Sequence, residues 1–257
     1  MKRANRRVLG PLLLSGGFLL LFPPAGLMAQ DPEGFLFGKP NVTLTLDLGY
    51  GVPRAGSDLF QEIDTIFTLG KSDFSAPTLG GTVAIHLNDR MDLALAVAFQ
   101  RSETWSEYRD FVEELGDGST IPIQQQTSLT RVPLTVSLRY FLLDRGREIS
   151  RFAWIPTRWS PYVGIGAGRI WYKFRQEGDF VDFFDYSIYT DYPTSEGWGW
   201  SAHLLGGAQV SLTPRFVLNM EGRYSWADAE LGPPFDSAYE PIDLAGFQGS
   251  VGIGVRF

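Results

Sequence analysis

Two histidines and one serine are the residues of this chain that could support hydrolytic or metal chemistry. Ser201, His203 and Glu221 supply a nucleophile, a general base and an orienting carboxylate, the residue types of a serine hydrolase triad. His86 and His203 could ligate zinc, but the sequence has no cysteine, so carboxylates would have to complete such a site. What these groups can do depends on the elements that carry them and on where each side chain points.

Polar and apolar residues alternate along eight stretches of the chain, a pattern typical of β-strands with two different faces. In the stretch 41–50, Leu44 and Leu46 lie on the face opposite Thr45 and Asp47. The other stretches lie at about 78–87, 93–100, 131–140, 161–168, 198–212, 216–224 and 246–257. Most are close to the roughly 9–11 residues with which a tilted strand crosses a bilayer.

The connections between these stretches differ in length. Four of them are long and polar, at about 51–77, 102–127, 176–195 and 228–245. Two others, 88–90 and 213–215, are short turns, and a third at about 144–159 is longer. Outer-membrane barrels carry long loops outside the cell and short turns in the periplasm. The sequence therefore predicts an all-β fold, an eight-stranded antiparallel transmembrane up-and-down β-barrel with long extracellular loops and short periplasmic turns.

A soluble sandwich or lipocalin-like barrel would also alternate, but it would bury its apolar face and expose its polar face to water. Here one face is large and aliphatic, whereas the other is rich in small residues with scattered charges, which suits a narrow, filled interior. Aromatic residues gather near the strand ends, as in the girdles of membrane barrels. They are Tyr50, Phe99, Tyr140, Trp159, Tyr162, Trp171, Trp198, Trp200, Tyr224 and Trp226. The pattern favours the membrane barrel.

The N-terminus has the order of a secretory signal peptide. Four basic residues in the first seven positions precede an apolar stretch at 8–22, and Ala29 is the small residue expected at a cleavage site. We expect residues 1–29 to be the signal peptide, 30–40 a periplasmic tail and 41–257 the barrel. Losing the four basic residues takes the formal net charge from −7 to −11. A chain this acidic repels nucleic acid, so no nucleic-acid partner is expected.

The chain resembles the OmpA/OmpX-type family of small outer-membrane barrels. The stretches that carry the resemblance are 161–168, 206–224 and 251–257. The resemblance implies the barrel fold and a location in the bacterial outer membrane. The terminal Phe257 is similar to the signal that the outer-membrane assembly machinery reads, which implies that machinery as a partner during biogenesis. Some relatives carry a peptidoglycan-binding domain after the barrel; this sequence stops at Phe257, so that anchoring role is not expected.

If Phe257 faces lipid, the alternation turns nine ionisable residues into the lumen. They are Asp47, His86, Asp92, Arg131, Arg139, His203, Glu221, Arg223 and Arg256. Charges in so narrow an interior must be paired or hydrated, so we expect them to fill it as a network. The same phase points Ser201, His203 and Glu221 away from any lipid substrate. We therefore expect no catalytic residues, no metal and no cofactor.

The long loops are the most distinctive part of the sequence. The connection near 176–195 mixes carboxylates with aromatic residues: Glu177, Asp179, Asp182, Asp185, Asp191 and Glu196 with Phe180, Phe183, Phe184, Tyr186, Tyr189 and Tyr192. The leading hypothesis is a non-enzymatic barrel with a plugged lumen and a structural and surface-interaction role. It would stabilise the outer membrane in contact with its lipids and lipopolysaccharide and display these acidic, aromatic loops to a surface partner. The alternatives are a small ion or solute channel and, third, an enzyme that modifies lipid A.

Overall fold

The structure, a computed structural model, describes residues 34–150 and 152–257. The predicted signal peptide and residues 30–33 of the expected tail lie outside the described residues. The strands of the described part are β1 (Val42–Pro53), β2 (Ala76–His86), β3 (Met91–Glu114), β4 (Thr120–Phe141), β5 (Gly146–Ser150), β6 (Ala153–Pro156), β7 (Trp159–Val181), β8 (Ile188–Asp191), β9 (Thr194–Ser211), β10 (Phe216–Ala229), β11 (Ile242–Asp243) and β12 (Gly246–Arg256). One α-helix, α1 (Asp58–Ile66), and a 3-10 turn (Lys71–Phe74) lie between β1 and β2.

Eight of the described strands close into a ring in the order β1, β2, β3, β4, β7, β9, β10, β12. Every neighbouring pair is antiparallel, and β12 pairs back onto β1 from Thr43 opposite Arg256 to Pro53 opposite Gly246. Closure satisfies the backbone groups that an open sheet would leave at its edges. The predicted eight-stranded antiparallel barrel is confirmed.

The apolar face of the ring points outward. Leu46, Ile165 and Ile253 are 64%, 61% and 58% exposed, whereas the inward-pointing Thr43 and Ser137 are each 1% exposed. Because the ring is closed, nothing within the barrel covers these aliphatic side chains. A lipid bilayer is the environment that removes such a belt from water.

Above this belt, the two faces of the long strands exchange character. On β3 the outward residues change from Phe99 to Arg101, and the inward residues become apolar at Tyr108. On β7 the outward Lys173 stands beside the inward, fully buried Phe174. An apolar interior with a polar exterior is the pattern of a water-soluble barrel. The barrel therefore continues past the membrane on its extracellular side with its own core.

This reversal makes two of the long connections shorter than expected. Residues 102–127 are mostly strand, since β3 runs to Glu114, β4 begins at Thr120, and a turn at 115–119 joins them. Likewise, 176–195 is largely taken up by the end of β7, the short β8 and the start of β9. The outward side chains in these stretches are charged, as in loops. The inward side chains, such as Ile123, are apolar and buried, and this burial stabilises the extended backbone.

The connection at 51–77 folds into the extracellular mouth of the barrel. In α1, Leu59, Phe60 and Ile63 share one face of the helix and are buried. They join a core of inward-pointing residues that includes Leu69, Phe74, Tyr108, Ile123, Leu129, Ile170, Tyr172, Phe174, Phe235, Ile242 and Leu244. No helix within the described ranges is long and apolar enough to cross a membrane.

The periplasmic mouth is covered by the chain's first described residues and by the 144–159 connection. That connection contains the β5–β6 hairpin, which forms a separate two-stranded sheet. Leu36 pairs with Trp154, exchanging two backbone hydrogen bonds of 2.9 and 3.1 Å. The guanidinium of Arg256 lies over the Trp154 ring at 5.6 Å. Both ends of the barrel are thus occupied by the chain itself.

Candidate functional site

A charged cluster crosses the middle of the lumen. Arg139 donates a 2.6 Å hydrogen bond to Glu221 Oε2, and Arg223 donates one of 2.9 Å to Glu221 Oε1. The Tyr162 hydroxyl lies 3.0 Å from the same carboxylate, and Arg139 lies over the Tyr162 ring at 5.2 Å. Charge-assisted bonds of this length in a buried site are strong and fix the side chains in place. The cluster therefore ties together β4, β7 and β10 across the lumen.

The space beside this cluster is small. Asp47 accepts a 2.9 Å hydrogen bond from Thr82, and the two residues line a cavity of about 30 Å³ together with Arg139, Glu221 and Arg223. A volume of this size holds one or two water molecules. It does not accommodate a sugar, an amino acid or a hydrated ion.

The three residues that could form a triad are not joined. His203 Nε2 lies 2.8 Å from Ser137 Oγ, and the space for its ring comes from Gly166, where a Cβ would lie 2.4 Å from that nitrogen. Ser201 Oγ is buried and has no hydrogen-bond partner in the described part of the chain. Glu221 is engaged by the arginines. His203 therefore has Ser137 as its hydrogen-bond partner, and Ser201 has no base within hydrogen-bond distance in the described part of the chain.

A second charged cluster lies at the periplasmic end. Asp92 is fully buried and accepts a 2.6 Å hydrogen bond from Arg145. His86 Nε2 lies 3.9 Å from Asp92 and 3.0 Å from Thr43 Oγ1, and its Nδ1 lies 2.7 Å from the Pro40 carbonyl oxygen. The cluster joins the barrel wall to the chain segments that cover this mouth.

The remaining lumen residues have separate partners. Arg131 donates hydrogen bonds to Gln100 Oε1 at 2.5 Å and to the Leu244 carbonyl oxygen at 3.2 Å, just below the extracellular core. Arg256 donates a 2.9 Å hydrogen bond to Ser211 Oγ. Nothing in the described ranges brings together three or more metal-ligating side chains.

All nine ionisable residues expected in the lumen point inward and are buried or half-buried. The structure brings together Arg139, Glu221 and Arg223 in one cluster and His86 and Asp92 in another; Asp47, Arg131, His203 and Arg256 stand apart from one another. Their role as a plug stays a prediction, as does the role of Phe257 as an assembly signal.

Three residues that contact these charges are not among those that the sequence predicts for the charged lumen. Tyr162, assigned above to an aromatic girdle, instead points into the lumen and is 1% exposed, because it occupies an inward position of β7. Gln100 occupies an inward position of β3, and the alternation of the sequence indicates this position. Arg145 lies in a connection, where no alternation indicates its direction.

The extracellular end carries a group of exposed and half-buried rings, which we call the aromatic tip: Phe111, Phe180, Phe183, Phe184, Tyr186 and Tyr189. Phe111 at the end of β3 packs edge-on against Phe183 at 5.7 Å and tilts against Tyr186 at 6.2 Å. Phe180 stacks on Tyr189 at 5.9 Å across the β7–β8 pair. These contacts order a surface that extends beyond the barrel core.

Two carboxylates in the loops at this end of the barrel stay charged in mildly acidic solution. Hydrogen bonds from the side chain and backbone of Ser119 lower the pKa of Asp117 below its usual value. Hydrogen bonds from Ser187 lower the pKa of Asp185 in the same way. Both groups are therefore ionised well below neutral pH.

No protein-family model matches the chain, and no curated protein matches it. Among solved structures, the chain is similar to the outer membrane protein OprG from Pseudomonas aeruginosa, with 14% identity over 86% of this chain and 98% of that one and a TM-score of 0.49. It is also similar to Neisserial surface protein A, with 14% identity, 88% and 100% coverage and a TM-score of 0.42. Ail from Yersinia pestis shows 16% identity, 84% and 99% coverage and a TM-score of 0.40.

The closed ring and its outward apolar belt decide the class of this protein. A sheet without edges, with aliphatic side chains on its outside and paired charges inside, is built to span a membrane with strands. It is a small barrel of the bacterial outer membrane.

Proposed function

We propose that this protein is a non-enzymatic outer-membrane barrel with a sealed lumen that uses its aromatic tip to bind a cationic, partly apolar protein segment. The observation that carries the proposal is the exposure of the tip. Phe184 is 95% exposed, and Phe183, Tyr186 and Tyr189 are also exposed on the same hairpin. Exposed apolar clusters with a polar rim mark interaction sites, and aromatic residues are enriched in them.

The charge around the aromatic tip selects the kind of partner. Residues 176–195 contain five carboxylates and no lysine or arginine: Glu177, Asp179, Asp182, Asp185 and Asp191. The turn region 110–119 adds Asp110, Glu113, Glu114 and Asp117, again without a basic residue. An acidic surface of this kind attracts cationic partners and repels acidic ones. The rings then supply the apolar contact area.

The lumen supports a sealed barrel over the channel alternative. The extracellular mouth holds α1 and its apolar core, and the middle holds the Arg139–Glu221–Arg223 cluster. The periplasmic mouth holds Arg145, paired with Asp92. An eight-stranded barrel has an interior that side chains can fill, and here they occupy it at three levels.

Replacing Phe183 and Phe184 together by serine is expected to weaken binding of a short lysine- and leucine-rich peptide about tenfold, because the peptide loses its apolar contact with two exposed rings. The measurement is fluorescence anisotropy of the labelled peptide with protein purified from outer membranes in detergent. Since both rings are exposed, heat-modifiable gel mobility should stay that of the folded barrel.

The matched control is Phe37→Ser, which removes a ring that is 87% exposed at the opposite end of the barrel and should leave peptide binding unchanged. A glutamate- and leucine-rich peptide of the same length should not bind. Equal binding of the two peptides, or equal loss in the tip and Phe37 variants, would refute a selective acidic and aromatic site.

A further inference from the structure

One basic residue on the outside of the barrel has an unusual environment. Arg169 lies on the outward face of β7 and is exposed. Its guanidinium lies 4.9 Å from the Trp200 ring and 5.8 Å from the Trp198 ring, both on the neighbouring β9. The cation therefore contacts two indole rings, which hold it in place.

Arg169 differs from nearby cations in having no carboxylate partner among the described residues. Three other outward cations of the extracellular half are paired with carboxylates: Arg101 with Glu103 at 2.6 Å, Lys173 with Glu196 at 3.3 Å and Arg175 with Glu177 at 2.8 Å. Arg109 instead donates a 3.3 Å hydrogen bond to the Asp64 carbonyl oxygen. A guanidinium is always charged and has five N–H donors. An aromatic ring attracts the charge but does not accept hydrogen bonds from these donors as an anion would.

The position of Arg169 is the boundary of the membrane. Below it on the outward face of β7 lie the lipid-facing Val163 and Ile165, and above it lie Trp171 and Lys173. A charge on the lipid face of a barrel costs free energy unless it reaches the interface or meets an anion. At this height the available anions are the phosphates of the lipids themselves.

We propose that Arg169, Trp198 and Trp200 form a binding site for a phosphate of lipopolysaccharide in the outer leaflet. The site lies on the extracellular half of the barrel, where that glycolipid forms the leaflet. Arg169 donates to the phosphate oxygens, and the exposed indoles pack against the sugar that carries the phosphate. The proposal needs only the membrane orientation of the barrel and is independent of the aromatic tip.

The test is equilibrium binding of fluorescent, bisphosphorylated lipid A to protein purified from outer membranes in detergent. Arg169→Gln should raise the Kd about tenfold, because one charge-assisted contact is lost. Arg101→Gln is the matched control: it removes another exposed arginine of the outward face, one that Glu103 already neutralises, and its Kd should stay within about twofold. Lipid A without phosphates should bind the wild type and Arg169→Gln equally.

Unchanged lipid A binding in Arg169→Gln, or equal losses in both arginine variants, would overturn the proposal. An equal loss of phosphatidylglycerol binding in Arg169→Gln would overturn the assignment to lipopolysaccharide in favour of any lipid phosphate. Should Arg169→Gln lack the gel mobility of a folded barrel, Trp200→Leu keeps the cation and removes the nearer of its two indole rings. A raised Kd in that variant supports the site, and a wild-type Kd contradicts it.

Discussion

Replacing Arg139 by alanine is expected to lower the free energy of unfolding by about 3–5 kcal/mol, because Glu221 would remain buried without its closest cation. Arg139 is only 2% exposed, and its 2.6 Å bond to Glu221 joins β4 to β10 across the lumen. Arg223 stays in place but approaches the other carboxylate oxygen. The measurement is a urea titration of the protein in lipid vesicles, followed by tryptophan fluorescence.

Two further variants separate this effect from a general effect of charge. Arg101→Ala breaks an exposed pair and should cost about 1 kcal/mol or less. The triple variant Arg139→Met, Glu221→Leu and Arg223→Met removes all three charges of the cluster and should recover most of the lost stability, since apolar replacements of buried ionic groups are often tolerated. A triple variant as unstable as Arg139→Ala would show that the cluster does not act through an unpaired buried charge.

Replacing Phe60 by alanine is expected to release α1 from the extracellular mouth, at a cost of about 3–5 kcal/mol to the packing of that core. Phe60 is 1% exposed and packs edge-on against Phe74 at 4.8 Å and Phe174 at 6.3 Å. The measurement is native-state proteolysis with trypsin, which should cut the variant after Arg54 and Lys71 far faster than the wild type.

The matched control is Phe184→Ala, which removes a phenylalanine that is 95% exposed and should leave cleavage at these two sites unchanged. Both variants should keep the gel mobility of a folded barrel, because the helix lies in the extracellular mouth and not among the membrane-embedded strands. Wild-type cleavage rates in Phe60→Ala would mean that α1 is not held by this core.

The alternation of residues is sufficient to predict the ring and its inward charges, because a strand places successive side chains on opposite faces. The position of Asp47, Arg139 and Glu221 in this alternation is sufficient to assign them to the lumen. Tyr162 also occupies an inward position in the alternation. Which charges pair with each other depends on the stagger between strands. The sequence pattern of a single strand does not reveal this stagger. The ion pair of Arg139 with Glu221 connects residues 82 positions apart.

The extracellular half is harder to predict, because the outward residues of its strands are polar, as the residues of loops are. Outward charges such as Arg101 and Lys173 follow a lipid-facing stretch and look like the start of a connection, while the inward Tyr108 and Phe174 continue the strand. The reversal of the apolar face marks the point at which the barrel leaves the membrane. The helix at 58–66 is nine residues long, and it is held by the core that it fills rather than by its own propensity.

Single-channel recording tests most directly whether the lumen of the barrel is sealed. The full-length gene product, purified from outer membranes, is added to a planar lipid bilayer, with a porin as positive control. We expect no discrete conductance steps above background, because the apolar core, the Arg139–Glu221–Arg223 cluster and the Asp92–Arg145 pair block the lumen at three levels. Reproducible steps of uniform size from the wild-type protein would contradict the sealed lumen and favour a channel.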